Sequence, residues 1–138
     1  MLTIIRGLPG SGKTTLAKQL NTRRDAYHFE ADMYFDVDGE YKFDPSILGE
    51  AHQWCQEMTQ IYISFNRNVI VSNTFTTMKE MKPYLDIAKA LETQVQIITC
   101  HGNFGSIHDV PKETIKKMKA RWQEIEYNEE SQKYISKN

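Results

Sequence analysis

Four short apolar runs punctuate the chain, and segments with helical spacing lie between them. The runs are Leu2 to Arg6, Ala26 to Phe29, Asn68 to Ser72 and Gln94 to Thr99, and each reads as a strand. Two of them carry the unbroken Val/Ile stretches of parallel strands buried on both faces. The first helical segment is Lys13 to Leu20. The second starts where Asp44 can cap and Pro45 can take the first helical position. Its apolar residues, Ile47, Leu48, Ala51, Trp54, Cys55, Met58, Ile61, Tyr62 and Phe65, recur at steps of three and four. The third runs roughly from Thr77 to Leu91. Thr77 and Glu80 have capping-box spacing, but Pro83 removes an interior hydrogen bond and leaves a later start open. The fourth begins at Pro111 and is expected to bury Ile115, Met118, Trp122 and Ile125. Residues Tyr34 to Phe43 fit neither period. Asp38-Gly39 between aromatic residues signals a short β-hairpin or an ordered loop there.

Alternation of strand and helix predicts an α/β fold with a central parallel sheet and right-handed crossovers. In such a fold the functional crevice lies at the carboxyl ends of the strands. A length of 138 residues is expected to make one domain, 1–138. The charge is nearly balanced, with 17 basic against 18 acidic residues and a net of −1. That excludes a strongly basic nucleic-acid coat protein and an acidic disordered tail, and leaves room for a local basic groove. The two cysteines, Cys55 and Cys100, exclude a disulfide-rich scaffold, and neither they nor the four histidines show zinc spacing. There is no charged-then-apolar leader and no long apolar stretch, so a soluble cytoplasmic chain is expected.

The chemistry starts at Gly7. Residues Gly7-Leu8-Pro9-Gly10-Ser11-Gly12-Lys13-Thr14 match G-x-x-x-x-G-K-[ST], after the first strand and before the first helix. Gly7, Gly10 and Gly12 let backbone N–H groups approach phosphate oxygens. The helix that follows, with Thr15 in its first turn, adds its positive end. Lys13 supplies a point charge for the β and γ phosphates, and the Thr14 hydroxyl is a ligand for Mg²⁺. ATP is the expected cofactor.

Phosphoryl transfer also needs a carboxylate near the attacking hydroxyl. Glu30-Ala31-Asp32 follows the second strand, and Asp32 either accepts the acceptor's proton or holds a metal-bound water. A helix cap or a solvated loop acid is the alternative role. Asp36 and Asp38 are accounted for by the hairpin turn. The third strand ends Ser72-Asn73-Thr74 without an acid, unlike many motor ATPases, which points towards a small kinase. Asn73 and Thr74 either contact substrate or cap the third helix.

Taken together, Arg6-Gly-Leu-Pro-Gly-Ser-Gly-Lys-Thr-Thr15, Glu30-Ala-Asp-Met-Tyr-Phe35, Asp38-Gly-Glu-Tyr-Lys-Phe-Asp-Pro45, Ala51-His-Gln-Trp54, Val69-Ile-Val-Ser-Asn-Thr74, Met81-Lys-Pro-Tyr84 and the segment from Ile107 to Met118 resemble the polynucleotide 5′-hydroxyl kinase branch of P-loop kinases. The likeness is greatest to its Nedd-four-binding type and to small phage or bacterial ATP-binding proteins. The resemblance implies a three-layer α/β/α fold with a four-stranded parallel sheet in order 2-3-1-4. It also implies transfer of the ATP γ-phosphate to a 5′-hydroxyl of DNA or RNA. By position, Asp32 matches the general base, Lys13 the loop lysine, and Thr14 the metal-binding hydroxyl.

Three positions depart from the phage polynucleotide kinases. Phe35 stands where an Arg clamps the acceptor phosphate, Asn73 stands where that Arg has a partner Asp, and Gly105 stands where the lid carries an Arg. Lys112, Lys116, Lys117 or Arg121 would then supply the missing lid charge, and Phe104 and His108 would shape the lid. A basic groove built from Arg6, Arg67, Lys79, Lys82 and the Lys112 to Arg121 cluster, beside Tyr34, Phe35 and Phe75, would suit a nucleic acid. Two other functions stay open: a kinase of a small hydroxylated metabolite or nucleoside, and a slow ATPase acting as a nucleotide-binding module.

Overall fold

The structure is a computed structural model, which describes residues 1–105 and 110–137. Strand β1 (Leu2–Gly7) leads through the glycine-rich loop into helix α1 (Lys13–Arg24) and strand β2 (Tyr27–Phe29). A 3₁₀ turn (Ala31–Phe35) and the hairpin strands β3 (Asp36–Val37) and β4 (Glu40–Tyr41) precede helix α2 (Leu48–Ser64). Then come β5 (Val69–Asn73), α3 (Met78–Ala90), β6 (Val95–Cys100), α4 (Lys112–Arg121) and the strands β7 (Ile125–Asn128) and β8 (Lys133–Ser136).

The main sheet has the order β2-β5-β1-β6, and each of its strand pairs is parallel. This is the order 2-3-1-4 expected from the resemblance. Because side chains alternate across a strand, each face of β1 and β5 builds its own core. Leu2, Ile4, Val69 and Val71 pack with Cys55 and Ile63 of α2 and Met81, Tyr84 and Ala88 of α3. Ile5 and Ile70 pack on the opposite face with Ala17, Leu16 and Leu20 of α1. The result is three layers with both faces of the sheet covered.

Local signals set several boundaries. Asp44 accepts from the Ser46 N–H at 3.0 Å and opens a short 3₁₀ turn (Pro45–Ile47), so α2 itself starts at Leu48. Thr77 Oγ1 accepts from the Glu80 N–H at 3.3 Å and starts α3 at Met78, not later. Pro83 sits inside α3 and costs it one backbone bond. Asp38 and Gly39, with φ of 51° and 83°, make the two-residue turn of the β3–β4 hairpin. Positive φ at both positions is what a type I′ turn requires.

The C-terminal part departs from the periodic pattern. The spacing of Ile115, Met118, Trp122 and Ile125 predicts one continuous helix, but α4 ends at Arg121 and none of its residues is fully buried. Tertiary hydrogen bonds take the backbone there. The Gln123 N–H donates to the Thr76 carbonyl at 2.8 Å, and the Gln123 side chain accepts from the Met78 N–H at 2.8 Å. Ile125 therefore enters the core from strand β7. The β7–β8 hairpin docks beside β6, where Tyr134 Oη accepts from the Ile97 N–H at 3.1 Å.

Arg6 holds this arrangement together. It is fully buried, and its guanidinium donates to the carbonyls of Phe75, Thr76 and Gln123 at 2.9, 3.2 and 2.8 Å. It also lies 3.9 Å from the centroid of the Trp122 ring. Arg6 is thus a structural cation tying β1 to the chain after β5 and to the end of α4, and not part of an open basic groove. Phe35 and Phe75 are likewise 1% and 4% exposed, so neither ring is a surface platform.

Candidate functional site

The glycine-rich loop leaves β1 at the centre of the sheet, between β5 and β6. Its backbone leaves no room for larger residues. Gly10 and Gly12 have φ of 80° and 90°, and a Cβ on Gly10 would lie 2.6 Å from the Gly105 carbonyl oxygen. A Cβ on Gly7 would collide with Ser11 Oγ at 2.1 Å. The segment after β6 closes against the loop, with the Phe104 N–H donating to the Gly10 carbonyl at 2.7 Å. Phe104 itself is 81% exposed. His108 lies outside the described residues.

Several features fit an anionic ligand such as a nucleotide phosphate. Gly12 at the N-cap gives α1 no side-chain cap, and no acid occupies its first turn. The positive helix end is therefore uncompensated by side chains. Ser11 Oγ is buried without a hydrogen-bond partner among the described residues. Burial pushes the Lys13 ammonium below its ordinary value, while the charges of Glu30 and Asp32 oppose that shift. Both carboxylates therefore act on the loop lysine across the crevice. Leu8 and Pro9 are partly exposed on the loop, and Thr15 is exposed at the start of α1.

Glu30 is the residue that sequence reasoning passed over. Its Oε1 accepts from Thr14 Oγ1 at 2.6 Å and from Ser72 Oγ at 2.8 Å, and lies 3.3 Å from His28 Nε2. Ser72 has one hydroxyl proton and gives it to Glu30, so its oxygen accepts from His28 Nε2 at 2.6 Å. Burial alone pushes the Glu30 carboxyl up, but the adjacent His28 ring and the hydrogen bonds from Thr14 and Ser72 outweigh it and hold it at about 2. The effect on Thr14 is specific. A hydroxyl whose proton points at a carboxylate has its lone pairs free for a cation. The available signal was position: Glu30 directly follows β2, one strand away from the Ser72 that faces it.

Asp32 sits in the 3₁₀ turn beyond β2. Its Oδ1 accepts from Tyr41 Oη at 3.3 Å, which ties it to the hairpin. The turn is fixed from behind by Asn73, whose Oδ1 accepts from the Ala31 N–H at 2.9 Å and whose amide reaches Cys55 Sγ at 3.7 Å. Asn73 is only 8% exposed. Its contacts anchor the turn that carries Asp32, and helix α3 is capped by Thr77 instead. Thr74 is half-buried, and its carbonyl accepts from the Gly7 N–H at 3.2 Å. Phe35 packs edge-on to Phe43 and Tyr41 beneath the hairpin, so this ring supports the turn from inside.

The expected lid cations separate. Arg121 Nε donates to Thr76 Oγ1 at 3.0 Å and lies 3.7 Å from Glu80 Oε1. Lys112 and Lys116 line a pocket on α4 together with Lys119. Lys119, which the sequence placed only in the Lys112 to Arg121 cluster and not among the lid cations, lies beside the loop. It shares a shallow pocket with Leu8, Cys100, His101, Gly102, Trp122 and Glu124.

A parallel sheet with this order, a glycine-rich loop at its centre and carboxylates just beyond β2 define a P-loop nucleotide-binding fold of the kinase type. The family model described as "AAA domain" matches residues 2–103, and the chain belongs to that family. Human NEDD4-binding protein 2 is 38% identical over 93 residues, covering 64% of this chain and 5% of that protein. The chain thus spans a small fraction of this curated relative. Among solved structures, a chain of the Pnkp1/Rnl/Hen1 RNA repair complex aligns over 99% of this chain and 48% of its own length. Its TM-score is 0.67 at 18% identity. A gluconokinase from Sinorhizobium meliloti aligns over 88% and 74%, with TM-score 0.60 at 11% identity. At such identities the structural likenesses establish the fold.

Proposed function

We propose that the protein is a Mg²⁺- and ATP-dependent kinase that phosphorylates a 5′-hydroxyl of DNA or RNA, with Asp32 as general base. The observation that carries this reading is the link across the crevice: Thr14 of the loop donates to Glu30 at 2.6 Å, and Glu30 opens the turn that carries Asp32. Phosphate-binding and proton-accepting groups then serve one reaction centre. The likeness to a chain of an RNA repair complex supports a nucleic-acid acceptor.

ATP supplies the phosphoryl group, and Mg²⁺ neutralises charge on its phosphates. The loop amides and Lys13 bind phosphate oxygens. Thr14, its proton directed at Glu30, offers its oxygen to the metal. Asp32 orients the acceptor hydroxyl and takes its proton, while Tyr41 and the Asn73-anchored turn keep the carboxylate in place.

Labelled γ-phosphate, Mg²⁺ and a set of 5′-hydroxyl oligonucleotides, nucleosides and water test the reading. Label on the oligonucleotide is expected, and release of phosphate to water alone would point to a slow ATPase. Asp32→Asn should lower kcat for transfer by about 10²–10⁴-fold, the usual worth of a general base, and leave ATP affinity nearly intact. Transfer near the wild-type rate would remove Asp32 from the base role.

A further inference from the structure

The hairpin beside Asp32 carries two aromatic rings that the loop chemistry does not use. Tyr41 and Phe43 are 36% and 52% exposed, and their rings lie within 12° of parallel with centroids 6.4 Å apart. The neighbouring Phe35, by contrast, is almost fully buried. Phe35 meets Phe43 at 5.1 Å and Tyr41 at 6.3 Å, edge-on to both, and so braces the pair from below. The backbone is pinned as well, with the Lys42 N–H donating to the Phe35 carbonyl at 2.8 Å. The two rings are thus preorganised, which lowers the cost of binding a flat ligand on them.

Their position relative to the chemistry is fixed by one contact. Tyr41 Oη donates to Asp32 Oδ1 at 3.3 Å. A hydroxyl within hydrogen-bond reach of Asp32 therefore brings the rest of its molecule alongside this aromatic pair. Charge narrows the choice of group. Asp36, Asp38 and Glu40 crowd the same hairpin against the single Lys42. That surface disfavours a phosphate and accepts an uncharged flat ring.

We infer that Tyr41 and Phe43 form a stacking platform for the nucleobase of the acceptor's 5′-terminal nucleotide. The inference rests on the proposed polynucleotide acceptor and adds which part of it the protein reads. Stacking tolerates every base because each has a π-face, so the platform selects for the presence of a base over its identity, with purines ahead of pyrimidines.

The experiment compares kcat/KM for two 5′-hydroxyl oligonucleotides that differ only in whether the terminal residue carries adenine or is abasic. The ratio is taken within each protein sample, so a partly folded variant does not distort it. Wild type should favour the adenine end by about 5–150-fold, the worth of one stacked base. Tyr41→Ala and Phe43→Ala should bring the ratio close to one, and Phe43→Trp should restore it. Tyr41→Phe should keep the ratio while lowering kcat, because it removes only the hydrogen bond to Asp32. A wild-type ratio near one, or a ratio unchanged in both alanine variants, overturns the platform while leaving a polynucleotide kinase in place. Failure of wild type to label either oligonucleotide overturns the acceptor assignment and the platform together.

Discussion

Replacing Glu30 by Gln tests the electrostatic logic of the site. The substitution keeps shape and one acceptor oxygen, but removes the charge that Thr14, Ser72 and His28 converge on. Holding this carboxyl at about 2, against 4.5 in an unfolded chain, is worth about 3 kcal/mol at about 1.4 kcal/mol per tenfold change in proton affinity. Glu30 has only 14% of its side chain exposed, so solvent screening takes little of this away. The folded value lies below the unfolded one. The stabilisation is therefore fully present above pH 4.5 and is lost as pH falls towards 2. Urea unfolding of wild type and Glu30→Gln at pH 7, 5, 4 and 3 reads the difference directly. The variant should be less stable by about 3 kcal/mol at pH 7 and by only about 1 kcal/mol at pH 3. Other carboxylates titrate in both proteins and cancel to first order. A stability gap that stays the same from pH 7 to pH 3 would refute the argument, because it would assign the loss to shape and not to charge.

Two further perturbations probe the frame around the site. Arg6→Met keeps the length of the side chain but strands the carbonyls of Phe75, Thr76 and Gln123. It should cost about 3–5 kcal/mol in urea unfolding and shift Trp122 fluorescence, and a loss under about 1 kcal/mol would contradict the structural role of Arg6. Gly10→Ala forces a Cβ to 2.6 Å from the Gly105 carbonyl at a φ of 80°. ATP affinity by titration calorimetry should fall by at least about tenfold, whereas Gly39→Ala, at a φ of 83° but in open space, should leave it unchanged.

Much of the frame was legible in the chain itself. Runs such as Asn68 to Ser72 announced buried parallel strands, because residues covered on both faces must be apolar throughout. The loop from Gly7 to Thr14 was readable because phosphate binding is a local property of consecutive amides and one lysine. The Asp38-Gly39 turn and the Thr77 cap were legible for the same reason: each is decided within four residues. Pro83 misled towards a later start of α3, since one lost hydrogen bond is small beside the burial of Met81, Tyr84 and Ala88.

Residues whose role depends on distant partners were not legible. Arg6 and Phe35 have the composition of a nucleic-acid surface, yet one is buried against three carbonyls and the other beneath a hairpin. Glu30 looked like a neighbour of Asp32 until Ser72, 42 positions away, was brought against it. Asn73 likewise gained its role by meeting the Ala31 backbone across the sheet. The sequence alone determined the sheet, the phosphate loop and the carboxylates at the strand ends, because periodicity and local backbone chemistry specify them. Only the tertiary structure decided which cation is buried, which carboxylate is held ionised behind Thr14 and which rings face solvent. Each of those depends on desolvation and on hydrogen bonds made between residues far apart in the chain.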